Sequence, residues 1–154
     1  MSDIDAAVAL HQGRSLIALQ YTQTTKRLND AAKQPGFTKD SWADLAALVA
    51  VDEFERVGNF KEVMNWTEYI EFLTNWAPSS EWDGSFKRVS EVNGVVFLEL
   101  EERSRVGDFE SVVNSLTVFE FTAEDKIRHL DLYLQMALPN LDMLGSYDGA
   151  EISE

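Results

Sequence analysis

Glu102 is the residue of this chain best placed for chemistry. From residue 96 to 105 the sequence alternates Val96, Leu98, Leu100, Glu102, Ser104 with Phe97, Glu99, Glu101, Arg103, Arg105, the period of a strand with two unlike faces. The first set is apolar and is expected to face inward, which makes Glu102 a lone carboxylate continuing an apolar face. Desolvation favours the neutral form of a carboxyl and lets it act as general acid or base near neutral pH. The plainer alternative is a strand already leaving the core, with Arg103 or Arg105 closing a weak surface ion pair. Other chemistries are poorly supplied. The chain has no cysteine, so neither a disulfide framework nor a zinc-thiolate site can form. Its two histidines, His11 and His129, lack HxH or HExxH spacing, so no metal site and no cofactor are expected.

Glu102 belongs to a hairpin over residues 86–106, in which Asn93-Gly94 is the strongest short-range signal of a type I′ turn. A second hairpin follows in SLTVFEFTAEDKIRHLDLYLQ, residues 115–135. Its first arm sets Thr117, Phe119, Phe121 against Leu116, Val118, Glu120, and its second sets Leu130, Leu132, Leu134 against His129, Asp131, Tyr133. The leucine row is expected to line a closed cavity. On the opposite face Glu99, Glu101, Arg103 and Arg105 mix both signs of charge, which suits a partner surface. Upstream, residues 3 to about 33 read as helix with a break at Gly13 and a buried stripe of Leu16, Leu19, Leu28 and Ala31. Pro35-Gly36 is a turn. A helix over 42–50, a strand over 52–57 and a helix from Thr67 as N-cap, ended by Pro78, complete the series.

The length of 154 residues suits one domain with a real core. It is expected to span 1–144, followed by an acidic, glycine-broken, frayed tail over 145–154. A net charge of −14 argues against nucleic acid and against an anionic membrane, because phosphate binding draws on Lys and Arg clusters. Acids stand at the N-terminus where a signal peptide needs positive charge, and no apolar run approaches the ~20 residues of a membrane span. A cytoplasmic location is the default expectation.

The V-F-x-F arm, the acidic turn, and the K-I pair followed by an aromatic-containing strand ending in Tyr133 resemble the last two strands of the nuclear transport factor 2-like superfamily. Polyketide-cyclase-like proteins, ketosteroid isomerase, limonene epoxide hydrolase and scytalone dehydratase belong to it. The resemblance implies an α+β cone, with N-terminal helices packed into a highly curved antiparallel sheet around a hydrophobic pocket. It also implies a homodimer built on the outer face of the sheet. A tyrosine of the first long helix can enter such a pocket, and Tyr21 matches it. Isomerase-like members carry a general-base carboxylate on the first strand. Aligning Val57-Gly58 with the family pair puts Glu55 there, whereas counting back from the next helix puts Val57 there. Either choice turns the face of Glu53, Glu55 and Val57 to the pocket.

Transferring the family reactions residue by residue gives mostly departures. The Asp-Arg-Asp set of the epoxide hydrolase becomes Glu102, Leu100 and Leu132, which cannot hydrolyse an epoxide in that way. The isomerase set becomes Tyr21, Glu55 and Thr117, and threonine cannot replace a protonated carboxylic acid in an oxyanion hole. His129 falls opposite the leucines and does not match the pocket histidines of the dehydratase. The expected site therefore has Glu102, Glu55 and Tyr21 as catalytic candidates. Its expected lining is Leu98, Leu100, Thr117, Phe119, Phe121, Leu130, Leu132 and Leu134. Such a site implies either a small-molecule protein doing isomerase, cyclase or dehydratase chemistry on an apolar, ring-containing substrate, or a non-catalytic ligand-binding or dimeric module of the same fold.

Overall fold

The computed structural model describes residues 2–137, so the expected tail over 145–154 lies outside the described residues. Two helices open the chain, α1 (Ser2–Leu10) and α2 (Gly13–Ala31). Gly13 takes φ +61° at the break, a conformation that costs glycine little and other residues more. The buried stripe of α2 runs through Ala18, Leu19, Tyr21 and Leu28. Ala32 takes the buried place expected of Ala31, which is exposed.

The helix expected over 42–50 is instead a 3₁₀ turn, Lys39–Trp42, and one α-turn, α3 (Ala43–Ala46). The chain must leave the helix there to reach the sheet. The Ala50 amide donates to the Ile127 carbonyl at 2.9 Å, and the Ile127 amide to the Leu48 carbonyl at 3.0 Å. Two short strands follow, β1 (Glu55–Val57) and β2 (Val63–Asn65), and then α4 (Trp66–Trp76). Its N-cap is Asn65, not Thr67. The Asn65 side chain accepts from the Glu68 amide at 2.9 Å while the Glu68 carboxylate accepts from the Asn65 amide at 3.0 Å, a reciprocal capping box that satisfies two donors at once. A 3₁₀ turn over Ala77–Ser79, with Pro78 inside it, ends the helix.

The long strands β3 (Ser80–Val92), β4 (Val95–Val106), β5 (Phe109–Phe121) and β6 (Ile127–Met136) make a meander. Asn93 and Gly94 both have positive φ, as a type I′ turn requires. The sheet order is β2-β1-β6-β5-β4-β3, antiparallel throughout except that β1 runs parallel to β6. The sheet is thus mixed where an all-antiparallel one was expected. The helices cover its inner face, burying Leu19, Trp42, Leu45, Val96, Leu98, Phe119 and Ile127 together. Arg14 fixes the start of α2 to the β3–β4 and β5–β6 turns. It donates to the Gly94 and Thr122 carbonyls at 3.0 and 3.1 Å and pairs with Asp125 at 2.8 Å.

Candidate functional site

Inward-facing residues line up in rows across β4, β5 and β6: Val96-Phe119-Leu130, then Leu98-Thr117-Leu132, then Leu100-Ser115-Leu134, then Glu102-Val113-Met136. A cavity of about 360 Å³ runs along these rows beneath α2 and α4. It is not closed, since Phe72 and Met136 on its wall are 44% and 50% exposed. The row of Val96, Phe119 and Leu130 is fully buried, so the cavity has a deep end there and a mouth at the row of Glu102. Leu100, Thr117, Phe119, Leu130, Leu132 and Leu134 line it. Leu98 and Phe121 instead pack into the core to one side.

The mouth is where Glu102 lies. It is half-buried, and its Oε1 accepts the Trp82 indole N–H at 2.7 Å. Arg103 and Arg105 do not pair with it: they bind Asp83, Glu101 and Glu81. Trp82 thus holds one carboxylate oxygen, and among the described residues the other makes no hydrogen bond. A more open depression of about 590 Å³ adjoins this end and shares Trp82, Ser104 and Ser111 with the cavity. Much of its charge is spent on internal pairs, Lys26 with Asp30 and Arg105 with Glu81.

The deep end holds Tyr21, Tyr69 and Arg56. Helix α2 presents Tyr21 edge-on to Phe119, ring centroids 5.8 Å apart. The Tyr21 hydroxyl is buried and, among the described residues, has no hydrogen-bond partner. Burial, and after it the neighbouring Tyr69, raise its pKa well above the ordinary tyrosine range, while the charge of Arg56 opposes the rise. Tyr69 acts on it both through its charge and through a side-chain interaction of hydrogen-bond type, yet no hydrogen bond forms between the two among the described residues.

Glu55 is not in the site. The register sets Glu55 beside His129, Arg56 beside Leu130 and Val57 beside Asp131. Because Leu130 faces the cavity, Arg56 must face it too, and Glu55 and Val57 turn away. Glu53 is exposed, whereas Phe54 is buried against Trp66 and Tyr69. The Glu55 carboxylate is half-exposed and stands 3.3 Å from the His129 Nδ1 on the outer face. Here His129 is also 2.9 Å from Asp131, and the groups of Glu120, His129 and Asp131 lie within 4.8 Å of one another. The sequence reading thus missed Arg56, Tyr69, Trp76 and Trp82 as cavity residues. Phe54 was the available signal, for a large aromatic two positions before Arg56 marks the inward face of so short a strand.

No protein-family model matches the chain, and no curated protein matches it in sequence. Many solved structures share its fold. The BvnE pinacolase of Penicillium brevicompactum superposes with a TM-score of 0.62 at 10% identity, over 88% of this chain and 92% of that one. An NTF2-like protein of unknown function from Exiguobacterium sp. 255-15 gives 0.58 at 14% identity, over 75% and 98%. An LEH-like epoxide hydrolase of M. tuberculosis gives 0.54 at 12% identity, over 73% and 84%. The chain has the NTF2-like α+β cone fold. Identities this low carry the architecture and no activity.

Proposed function

We propose that this protein binds an apolar, ring-containing small molecule in the inner cavity and carries out proton transfer on it, as an isomerase, cyclase or dehydratase does. The observation that carries the reading is a single cavity, walled by leucine and aromatic side chains, with an unpartnered tyrosine hydroxyl at one end and a tethered carboxylate at the other. An apolar pocket with polar groups set at separate points along it is a fitting make-up for a small-molecule site. Glu102 is the proton-transfer group. Its hydrogen bond from Trp82 fixes one oxygen and leaves the other to meet the ligand. Tyr21 donates to an oxygen of the ligand, an interaction that a buried neutral hydroxyl can make at once.

Ligand binding without turnover is the second reading, and one observation favours it. Glu102 stands three rows from the row of Phe119 that Tyr21 touches, about 20 Å along flat strands, so only an elongated ligand meets both. The experiment that separates the two compares wild type with Glu102→Gln. Tryptophan emission from Trp76 and Trp82 reports occupancy by cyclic ketones, and NMR reports exchange of their α-protons. The catalytic reading expects binding kept and exchange lost in the variant. We place the protein in the cytoplasm as a homodimer joined through the outer sheet face, where Phe97, Leu116, Val118 and Tyr133 adjoin the charged rows. No helix among the described residues is long and apolar enough to cross a membrane.

A further inference from the structure

We infer that the cavity selects a ligand bearing a carboxylate, which Arg56 and Tyr21 grip at the deep end while the ring system lies along the leucine rows. The inference rests on the small-molecule reading above and adds to it the chemical class of the ligand.

Three observations carry it. First, the inward residue of β1 is a cation. Arg56 stands beside Leu130 and lines the cavity, so this strand brings positive charge to the deep end. Second, Arg56 is largely buried and only loosely paired. Its side chain is 16% exposed, and among the described residues it makes no hydrogen bond. Its nearest carboxylate oxygen, Glu62 Oε1, is 3.8 Å away, an ion pair too long for a hydrogen bond, and Glu62 is itself part-exposed and held through its other oxygen, which accepts the Phe60 amide at 2.9 Å. The guanidinium is oriented all the same, lying 4.9 Å over the Tyr69 ring, a stack that suits its flat shape. Third, the Tyr21 hydroxyl is buried in the same cavity without a hydrogen-bond partner among the described residues, and the charge of Arg56 reaches it.

Both groups are donors with hydrogen bonds left to make. A guanidinium with five N–H groups and a neutral hydroxyl together ask for acceptor oxygens, and a cation removed from water asks for an anion rather than a neutral carbonyl. A carboxylate answers both demands, with the planar two-oxygen edge that an arginine fork fits. The net charge of −14 repels anions at a distance, but screening over about 8 Å at physiological ionic strength leaves the adjacent guanidinium in control at contact.

The test uses two probes of like shape, 4-phenylbutyrate and 4-phenylbutan-1-ol, titrated calorimetrically into the whole chain as wild type, Arg56→Gln, Arg56→Lys and Tyr21→Phe. The expected result is that wild type binds the carboxylate at least tenfold tighter than the alcohol. Arg56→Gln should remove that preference with the alcohol affinity unchanged within about threefold, and Arg56→Lys should keep part of it. Tyr21→Phe should weaken the carboxylate severalfold while the variant stays folded, which keeps the inference testable even if Arg56→Gln does not fold. Equal affinities in wild type, or a preference that survives the loss of Arg56, would overturn the inference and leave the apolar-ligand reading standing. No binding of either probe at millimolar concentration would overturn both.

Discussion

Replacing Tyr21 with phenylalanine separates what the fold needs at this position from what the site needs. The ring packs edge-on against Phe119, and phenylalanine keeps that contact. What is lost is a buried hydroxyl with no hydrogen-bond partner among the described residues. An unsatisfied buried polar group costs about 1–3 kcal/mol, so Tyr21→Phe should leave stability at pH 7 unchanged or raise it by up to that amount. The pH dependence follows from the raised pKa of Tyr21. Below pH ~10 the hydroxyl is protonated in both states, and stability does not depend on it. Above that pH the unfolded chain releases this proton while the folded chain keeps it. The unfolded state then binds fewer protons, and stability falls as pH rises, by up to ~1.4 kcal/mol per unit for this one group. The loss continues until the folded-state pKa is passed. Urea denaturation of both proteins at pH 7 and at steps from 9.5 to 11 measures it. Tyr21→Phe should lose less stability than wild type over the alkaline steps. A variant destabilised by more than 1 kcal/mol at pH 7 would show that the hydroxyl has a partner in the fold and is not held in reserve for a ligand, and parallel losses in alkali would show that burial does not hold its proton.

Two further outcomes are expected. In Gly58→Ala the new methyl would lie 1.7 Å from the Glu62 Oε1, and since that atom is the far end of a flexible side chain it can swing aside. Glu62 then leaves Arg56, and affinity for 4-phenylbutyrate should rise about two- to fivefold, a Coulombic gain of a few tenths of a kcal/mol or more from an exposed partner, with the melting temperature lowered only slightly. Calorimetry checks the first and thermal melting the second. Light scattering at micromolar concentration should give twice the monomer mass, and a monomer would remove the outer sheet face as an interface.

Local signals made the two long hairpins legible. Alternation through Val96, Leu98, Leu100 and through Leu130, Leu132, Leu134 fixes which side is inward, and Asn93-Gly94 places a turn, because each feature is decided by residues adjacent in the chain. The first strand was not legible for the opposite reason. Glu55–Val57 is three residues long, and its facing is set by register against β6, some seventy residues later. Two glutamates and a valine at alternate positions gave one plausible inward face, while Phe54 and Arg56 formed the actual one. A buried arginine is costly enough to seem improbable until a cavity is present to receive its charge. Asn65 outcompeted Thr67 as cap because Glu68 stands three residues after it and closes the box, a spacing present in the sequence. The break of the expected 42–50 helix depended on Leu48 and Ala50 meeting Ile127, a contact that no local window contains.

Proton transfer by Glu102 inside the cavity stands or falls on hydrogen–deuterium exchange of cyclic-ketone α-protons in D₂O, followed by NMR for wild type and Glu102→Gln. Exchange should run above the buffer rate in wild type and fall by about 100-fold or more in the variant, the scale of one general acid or base, with ketone affinity by tryptophan emission unchanged. Wild-type protein that binds the ketones without exchanging their protons, or a glutamine variant that exchanges them as fast, would contradict it and leave the cavity a binding site.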